Sequence, residues 1–149
     1  MNFNMKNLLN PVGKFYLEIF EDGKLIESYE DRNLIVNGGR DAIAKLIGAA
    51  NTNADKRITQ IAFGTNGADP IITDSAITAQ FAKAIDGVAY PATETVEMSF
   101  ILGSVEDNGV TIREFGLLCA DNTLFARKIR ASIEKTSAIT LNGTWSITF

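Results

Sequence analysis

Catalysis in this chain would have to rest on carboxylates and one cysteine, because histidine is absent. Histidine is the commonest general acid or base and the commonest metal ligand, so its absence argues against an enzyme. Two acidic pairs, Glu94 with Glu97 and Glu106 with Asp107, have the residue types that glycoside hydrolysis needs, one carboxyl acting as acid and the other as base. Such pairs are equally typical of exposed charge on a strand or turn, which is the simpler interpretation.

The cysteine and the glycine-rich loop are weak candidates for chemistry. Cys119 would need a base or a cation beside it to form a thiolate, so we expect a small core residue. The loop at residues 64–70 has glycines that could approach a phosphate but lacks the lysine and hydroxyl pair of a P-loop. Asp69 and Asp74 could ligate calcium, although their spacing matches no calcium motif. The sequence therefore predicts no catalytic residue, no cofactor and no metal ligand.

Charges on two neighbouring predicted strands suggest association rather than catalysis. Arg113 and Glu114 face Arg127 and Lys128 across a turn at residues 121–122. A cross-strand ion pair is the simplest interpretation, and between subunits the same charges could set orientation and partner choice. The residues predicted to lie at an interface are Arg113, Glu114, Arg127, Lys128, Tyr16 and Tyr29.

Aromatic residues offer a different kind of binding site, because their rings stack on sugar faces. Tyr16, Tyr29 and Tyr90 are the candidates for a carbohydrate-binding or receptor-binding surface. Trp145 belongs to a strand with a hydroxyl-rich side, but the alternation puts the indole on the apolar side, which favours the core. Carbohydrate binding therefore stays an alternative function.

The first elements that must position these residues are a hairpin and a helix. Residues 15–20 and 25–29 are β-prone and flank an Asp22-Gly23 turn, which predicts a β-hairpin. Apolar residues at helical spacing predict a helix near residues 39–48. Asn37 or a glycine would cap it, and Asp41 would suit the positive end of its dipole.

The remaining elements are strands of unequal clarity. Residues 58–63 predict a central strand, whereas residues 71–90 give only a weak signal for a helical turn at 75–81 and a strand over 81–88 bent near Gly87. Strong alternation or turn signals predict three strands that follow one another as an antiparallel meander, and a last strand with its C-terminus tied into the sheet. These strands cover residues 95–102, 110–120, 123–129 and 139–149.

The predicted fold is mainly β, a β-sandwich or small barrel of about seven mostly antiparallel strands with one α-helix. Residues 14–149 form a single domain, and residues 1–13 form an N-terminal arm that could order on a neighbouring copy. The net charge of −4 and the scattered basic residues argue against nucleic acid as a partner. Residues 1–13 lack the apolar run of a signal peptide or membrane span, and we expect no small-molecule substrate.

The order of several short motifs resembles the N-terminal attachment regions of bacteriophage tail-collar fibre proteins. The likeness extends over residues 33–149. The segments that carry it are residues 33–40 (NLIVNGGR), 61–67 (IAFGTNG), 69–70 (DP), 73–76 (TDSA), 110–118 (VTIREFGLL) and 121–128 (DNTLFARK).

This resemblance implies a structural protein of the virion, assembled in the bacterial host cytoplasm. It implies symmetric association with copies of itself, often as a trimer, and docking to other virion proteins. Attachment regions are normally followed by a shaft and a receptor-binding tip, which do not follow residue 149 here. We therefore expect a free-standing subunit of the tail, collar or baseplate region, with a capsid decoration protein or head-fibre base as the alternative.

Overall fold

The computed structural model describes residues 11–48 and 55–149, which form nine strands and one helix. The class predicted from the sequence, mainly β with one helix, is confirmed. The elements are β1 (Val12–Glu21), β2 (Lys24–Ile35), α1 (Asn37–Ile47), β3 (Ile58–Gly64), β4 (Phe81–Ala84), β5 (Gly87–Ala92), β6 (Thr95–Leu102), β7 (Val110–Cys119), β8 (Leu124–Lys135) and β9 (Ile139–Thr148).

The hairpin of β1 and β2 forms as predicted, and β9 pairs with the other side of β1. Asp22 and Gly23 have φ angles of 49° and 78°, the left-handed pair that a two-residue turn between twisted strands requires. Along β9 every second residue from Leu141 to Ile147 is buried, which confirms the predicted alternation. Because β9 lies between β1 and β6, the C-terminal strand is interior to the sheet. Phe149 follows it, and its backbone N–H donates to the backbone carbonyl of Glu94.

All strand pairs are antiparallel, and one curled sheet has the order β4-β3-β7-β8-β2-β1-β9-β6-β5. The two edge strands, β4 and β5, are consecutive in the chain. In the short link between them, the backbone N–H of Ile85 donates to the carbonyl of Thr59 on β3, and that of Asp86 donates to the carbonyl of Ser99 on β6. The sheet therefore curls into a half-barrel whose two edge strands are joined through residues 85 and 86.

Aromatic residues fill the space inside the curl. Phe15 of β1 and Phe115 of β7 have ring centroids 4.8 Å apart, although their strands lie in different halves of the sheet. Phe63 and Phe100 meet in the same way at 6.0 Å, edge to face. Trp145 is completely buried against Phe15 at 5.1 Å, so its predicted place in the core is confirmed. Such rings contribute both buried apolar area and favourable edge contacts.

The helix begins two residues earlier than predicted and is capped differently. Val36 is at the N-cap position without a side-chain cap, so the predicted cap by Asn37 or a glycine is wrong. The N–H of Asn37 instead donates to the carbonyl of Ile72. Gly38 serves close packing, because a Cβ there would lie 2.5 Å from the carbonyl oxygen of Leu124 on β8. Asp41 pairs with Lys45 one turn later rather than lying in the first turn.

Three further predictions need correction. The predicted meander is wrong in its first step, because β6 pairs with β5 and β9 and not with β7; of its three strands, β7 and β8 pair with each other as predicted. Residues 75–81 form no helical turn, and the weak region contributes two strands, β4 and β5, which account for nine strands instead of about seven. The arm predicted for residues 1–13 is too long, since β1 begins at Val12. Residues 1–10 of that arm lie outside the described residues.

Candidate functional site

A buried ion pair joins the two strands whose charges the sequence singles out. Glu114 of β7 is fully buried and Arg127 of β8 is 2% exposed. The Nε of Arg127 donates to a carboxylate oxygen of Glu114 at 2.7 Å. The backbone register places Arg127 opposite Gly116, so the pair is diagonal across the ladder. This contact confirms the predicted cross-strand ion pair and identifies which of the four charged residues form it.

The same pair holds the glycine-rich loop of residues 64–78. The second oxygen of Glu114 accepts the N–H groups of Asn66 at 3.1 Å and Thr78 at 2.7 Å. Arg127 donates to the carbonyls of Asn66 and Ala68, and to the carboxylate of Asp74, each at 3.0 Å. These loop oxygens are among those that a calcium ion would need, and a guanidinium group already binds them. The network therefore fixes the loop.

Lys128 is the next residue of β8, so its side chain lies on the opposite face of the strand from Arg127, and it contacts β2. Its ammonium group donates to Asp31 of β2 at 2.6 Å and lies 5.6 Å from the ring centroid of Tyr29. That hydrogen bond is the main reason that the pKa of Asp31 is lowered. Arg130 also stacks on Tyr29, at 5.0 Å, and pairs with Glu27. Tyr29 is thus a half-buried platform for two cations.

The predicted interface residues therefore separate into three groups. Glu114 and Arg127 are enclosed and used within the chain. Lys128 and Tyr29 belong to the contact between β8 and β2. Arg113 is exposed and Tyr16 is half-buried. Their part in contacts between copies stays a prediction.

A gap in the sheet separates most of β2 from β8. The two strands pair only through Leu34 and Ile35 on β2 with Arg127 and Ala126 on β8. No described strand pairs with the outer edge of β2 over residues 24–33 or with that of β8 over residues 128–135. We call this opening, which the side-chain pairs of Lys128 and Arg130 cross, the β2–β8 gap. Along it the backbone edges of β2 and β8 have no ladder partner among the described strands, which is the feature that strand addition uses.

An apolar cleft of about 450 Å³ lies at another place, lined by residues of α1, the start of β3 and β8, and strands β5, β6 and β9. We call it the end cleft. Exposed apolar side chains surround it, with Tyr90 at 78%, Phe149 at 52% and Val88 at 50% exposure. A cleft lined in this way is typical of a binding site for an apolar group. The other residues that line it are Ile43, Leu46, Arg57, Ile58, Thr59, Val96, Met98, Phe125 and Ile147.

The carboxylate pairs do not form a catalytic arrangement with the end cleft. Glu106 binds Lys83 at 2.8 Å and the N–H of Gly103 at 2.9 Å, and its pKa is lowered, chiefly by Lys83. The pKa of Asp107 is raised by burial. Neither residue lines the cleft, and Glu94 lies in the tight turn between β5 and β6 with a φ of 70°. Among the described residues, no three potential metal ligands of the His, Cys, Asp and Glu types are grouped.

Cys119 is fully buried, and burial raises the pKa of its thiol to about 11. A thiol with so high a pKa carries little thiolate at neutral pH. The prediction that Cys119 is a core residue is confirmed by its place in the main hydrophobic cluster.

Sequence reasoning gave Asp74 a different role and missed one buried lysine. Asp74, suggested from the sequence as a possible calcium ligand, completes the network around Arg127. Lys135 is 1% exposed, and its ammonium group donates to Asn108 and to the carbonyl of Thr136. Its pKa is lowered by burial. A lysine at a strand end next to threonine gives no sequence signal for burial.

Comparison with known protein families, with curated proteins and with solved structures found no match for this chain. Over the described part of the chain, no helix has the length and apolar character needed to span a membrane. The fold and its surfaces thus define a mainly antiparallel β-protein with one helix, a buried ion-pair network, an open sheet gap and an apolar end cleft.

Proposed function

We propose that this protein is a non-catalytic structural subunit of a bacteriophage particle, from the tail, collar or baseplate region. It acts by association with copies of itself, as a trimer, and by docking to other virion proteins. The observation that carries the association is the β2–β8 gap, whose two unpaired strand edges are suited to a strand from another copy. The place in a virion rests on the resemblance of the ordered motifs.

Exposed apolar residues at the open end of the gap support an interface there. Leu25 and Ile26 of β2 are 51% and 55% exposed, next to the hairpin turn. The other side of the gap has exposed Ala131, Ser132 and Glu134 on β8. A strand edge of this length favours strand addition, and the ion pairs of Lys128 and Arg130 with β2 span only part of the gap. Pairing with a second copy would bury both the backbone edge and these apolar side chains.

The buried network supports a structural role for the charged residues. The polar side-chain atoms of Glu114 and Arg127 are hydrogen-bonded to the loop of residues 64–78 and to each other. Charges used in this way stabilise one loop conformation and offer no free acid or base. A rigid loop beside β7 and β8 gives an assembling subunit a fixed shape, which reduces the entropy lost when it docks.

Light scattering coupled to size exclusion tests the association. The expected result is an oligomer that dissociates on dilution and that is weakened at least tenfold by Ile26→Lys, since a charge on a strand edge opposes pairing. Val105→Lys is the matched control, because Val105 is an equally apolar but remote residue of 87% exposure in the loop after β6. A strict monomer at all concentrations, or an equal effect of both variants, would contradict the proposal.

Binding to purified particles tests the place in the virion. Labelled protein is expected to bind tails or tail components and to leave heads that lack tails unlabelled. Binding to heads alone would favour the capsid decoration alternative. Imaging a particle and fitting the nine-stranded subunit into its density would then locate each copy.

The exposure of Tyr90 favours a second candidate, carbohydrate binding. Its ring stands beside the end cleft and is 78% exposed, as a sugar-stacking residue requires. A glycan array tests it, with Tyr90→Ala as the variant that should lose any signal. Under the leading proposal the array is silent for both proteins.

A further inference from the structure

A buried amine lies at the end of β8. Lys135 is 1% exposed, and its Nζ donates to the side-chain oxygen of Asn108 at 2.8 Å and to the carbonyl of Thr136 at 3.0 Å. Both acceptors are neutral groups, which stabilise an ammonium ion less than a carboxylate does. Burial lowers the pKa of this lysine, so a larger share of the side chain carries a free lone pair. An uncharged lysine amine is a nucleophile.

The side-chain amide of Asn108 is held in contact with that amine. Its Nδ2 donates to the carbonyl of Ser104 at 2.9 Å, which leaves Oδ1 to accept from Lys135 and fixes the orientation of the amide. A C=O bond is about 1.2 Å long, so the Nζ of Lys135 lies within about 4 Å of the amide carbon. Little movement separates this contact from the distance of about 3–3.5 Å at which two groups react. Asn108 is itself exposed, so ammonia released there reaches solvent.

The usual competitor for an asparagine side chain is the backbone nitrogen of a following glycine, which attacks the amide carbon in deamidation. Here the N–H of Gly109 donates to the carbonyl of Lys135 at 2.8 Å. This hydrogen bond holds the proton of the Gly109 nitrogen on the backbone of β8, and deamidation requires that proton to leave. The side chain of Lys135 is therefore the better-placed nucleophile.

A carboxyl group that can supply a proton belongs to the same loop. Asp107 precedes Asn108 and is half-buried, and its Oδ2 is buried without a hydrogen-bond partner among the described residues. Burial raises the pKa of Asp107, while the charge of Lys135 acts in the opposite direction. A carboxyl group with a raised pKa retains its proton closer to neutral pH and can act as a general acid. Attack on an amide needs such an acid, because the departing nitrogen must be protonated.

We propose that Lys135 and Asn108 join in an intramolecular isopeptide bond. The Nζ of Lys135 attacks the amide carbon of Asn108, so that an Nζ–Cγ bond forms and the Cγ–Nδ2 bond breaks. The amide nitrogen leaves as ammonia, which takes up the proton that the amine gives away. Asp107 transfers this proton by donating its own to the amide and recovering one from the amine. No oxidant, reductant or further reactant enters, and the reaction occurs once per chain.

The bond closes the open end of the β7–β8 hairpin. Val110, the first residue of β7, pairs with Lys135, the last residue of β8, so Asn108 lies just outside the ladder at that end. A covalent link there restricts the separation of the two strands in the unfolded chain, which stabilises the folded state. The inference does not depend on the proposed virion function, since it concerns a reaction within one chain.

Mass spectrometry of the denatured full-length protein tests the bond. The expected mass is lower than that of the sequence by one ammonia. Trypsin should fail to cleave after Lys135, and residues 84–113 should appear joined to residues 131–149 as one branched peptide. An unchanged mass would overturn the proposal. A slight gain in mass at Asn108, which marks deamidation, would overturn it as well.

Two variants should abolish the loss of ammonia. Lys135→Arg keeps the positive charge and the hydrogen-bond donors but removes the nucleophile. Asn108→Ala removes the amide at an exposed position, where the fold tolerates the change. Lys128→Arg is the matched control, because Lys128 is also buried and hydrogen-bonded, and this variant should still lose ammonia. Buried Cys119 should resist alkylation in all three proteins if they are folded. Loss of ammonia from either of the first two variants would overturn the proposal.

Asp107→Asn tests the proton transfer. The variant keeps the shape of the side chain but has no acidic proton to donate, so the crosslinked fraction should grow about a hundredfold more slowly after synthesis. Asp69→Asn, at an exposed acidic residue of another loop, is the control and should leave the rate unchanged. A rate that Asp107→Asn does not alter would overturn the proposed proton transfer.

Discussion

The Nε of Arg127 and a carboxylate oxygen of Glu114 are 2.7 Å apart, and both side chains are buried, with exposures of 2% and 0%. Each residue has further partners in the loop of residues 64–78, so the pair joins two strands and a long loop at one point. Burial of charge is tolerated only where hydrogen bonds replace the lost water, and here they do. The loop's conformation consequently depends on both charges.

Replacing Arg127 by methionine should strongly destabilise the protein. The substitution leaves the carboxylate of Glu114 buried without its cation, which costs on the order of 3–5 kcal/mol of unfolding free energy. Urea denaturation measures the loss. Arg113→Met, at the exposed neighbour of Glu114, is the control and should change stability by less than about 0.5 kcal/mol. Equal effects of the two substitutions would contradict the structural role of the pair.

The Glu114→Leu and Arg127→Met double variant should be more stable than the sum of the two single losses predicts. Removing both charges leaves no uncompensated ion, so the coupling between the sites should be about 1 kcal/mol or more. A double-mutant cycle in urea measures it. Simple additivity would mean that the two residues act independently.

Asp121 should make stability depend on pH under acidic conditions. Its carboxylate accepts hydrogen bonds from Lys56 at 2.6 Å and from Thr123, which lower its pKa from 3.8 to about 2. Because the folded state favours the charged form, this stabilisation is present above pH 3.8 and is lost as pH falls through about 2. The stability difference between the wild type and Asp121→Asn should therefore shrink between pH 4 and pH 2 in urea titrations. A constant difference would contradict the ion pair.

Cys119 should have the opposite pH dependence under alkaline conditions. Burial first, and the nearby Asp121 carboxylate second, raise the pKa of its thiol from 9.0 to about 11. The folded state holds the proton more tightly, so this stabilisation is present below pH 9.0 and is lost as pH rises through about 11. Cys119→Ala should flatten that part of the stability profile. In the native protein the thiol should react with an alkylating reagent far more slowly than in urea.

Gly143→Ala should destabilise the core, whereas Gly48→Ala should not. A Cβ at position 143 of β9 would overlap the ring of Phe100, while nothing lies within 4 Å of a Cβ at position 48, where φ is −92°. Overpacking of this kind costs about 1–3 kcal/mol. Thermal unfolding compares the two variants. A neutral Gly143→Ala would mean that Phe100 has room to move.

The hairpin and the last strand could be predicted because their signals are local. Asp22 and Gly23 select a two-residue turn through their tolerance of positive φ, and the alternation along residues 139–149 depends only on the twofold period of a strand. The meander failed because the Asn108-Gly109 signal belongs to a longer connection, residues 103–109, that leads from β6 to a distant strand. A turn signal predicts where the chain bends, but it does not predict which strand the following segment pairs with.

The class of the fold, the faces of its clear strands and a cross-strand ion pair were predictable, since each follows from residues close together in the chain. The position of β6 beside β9, the contact of Asp74 with Arg127 across 53 residues and the gap between β2 and β8 were not predictable from local patterns. These features depend on which apolar faces cover one another when the sheet curls. That choice is made by long-range packing, which no local pattern encodes.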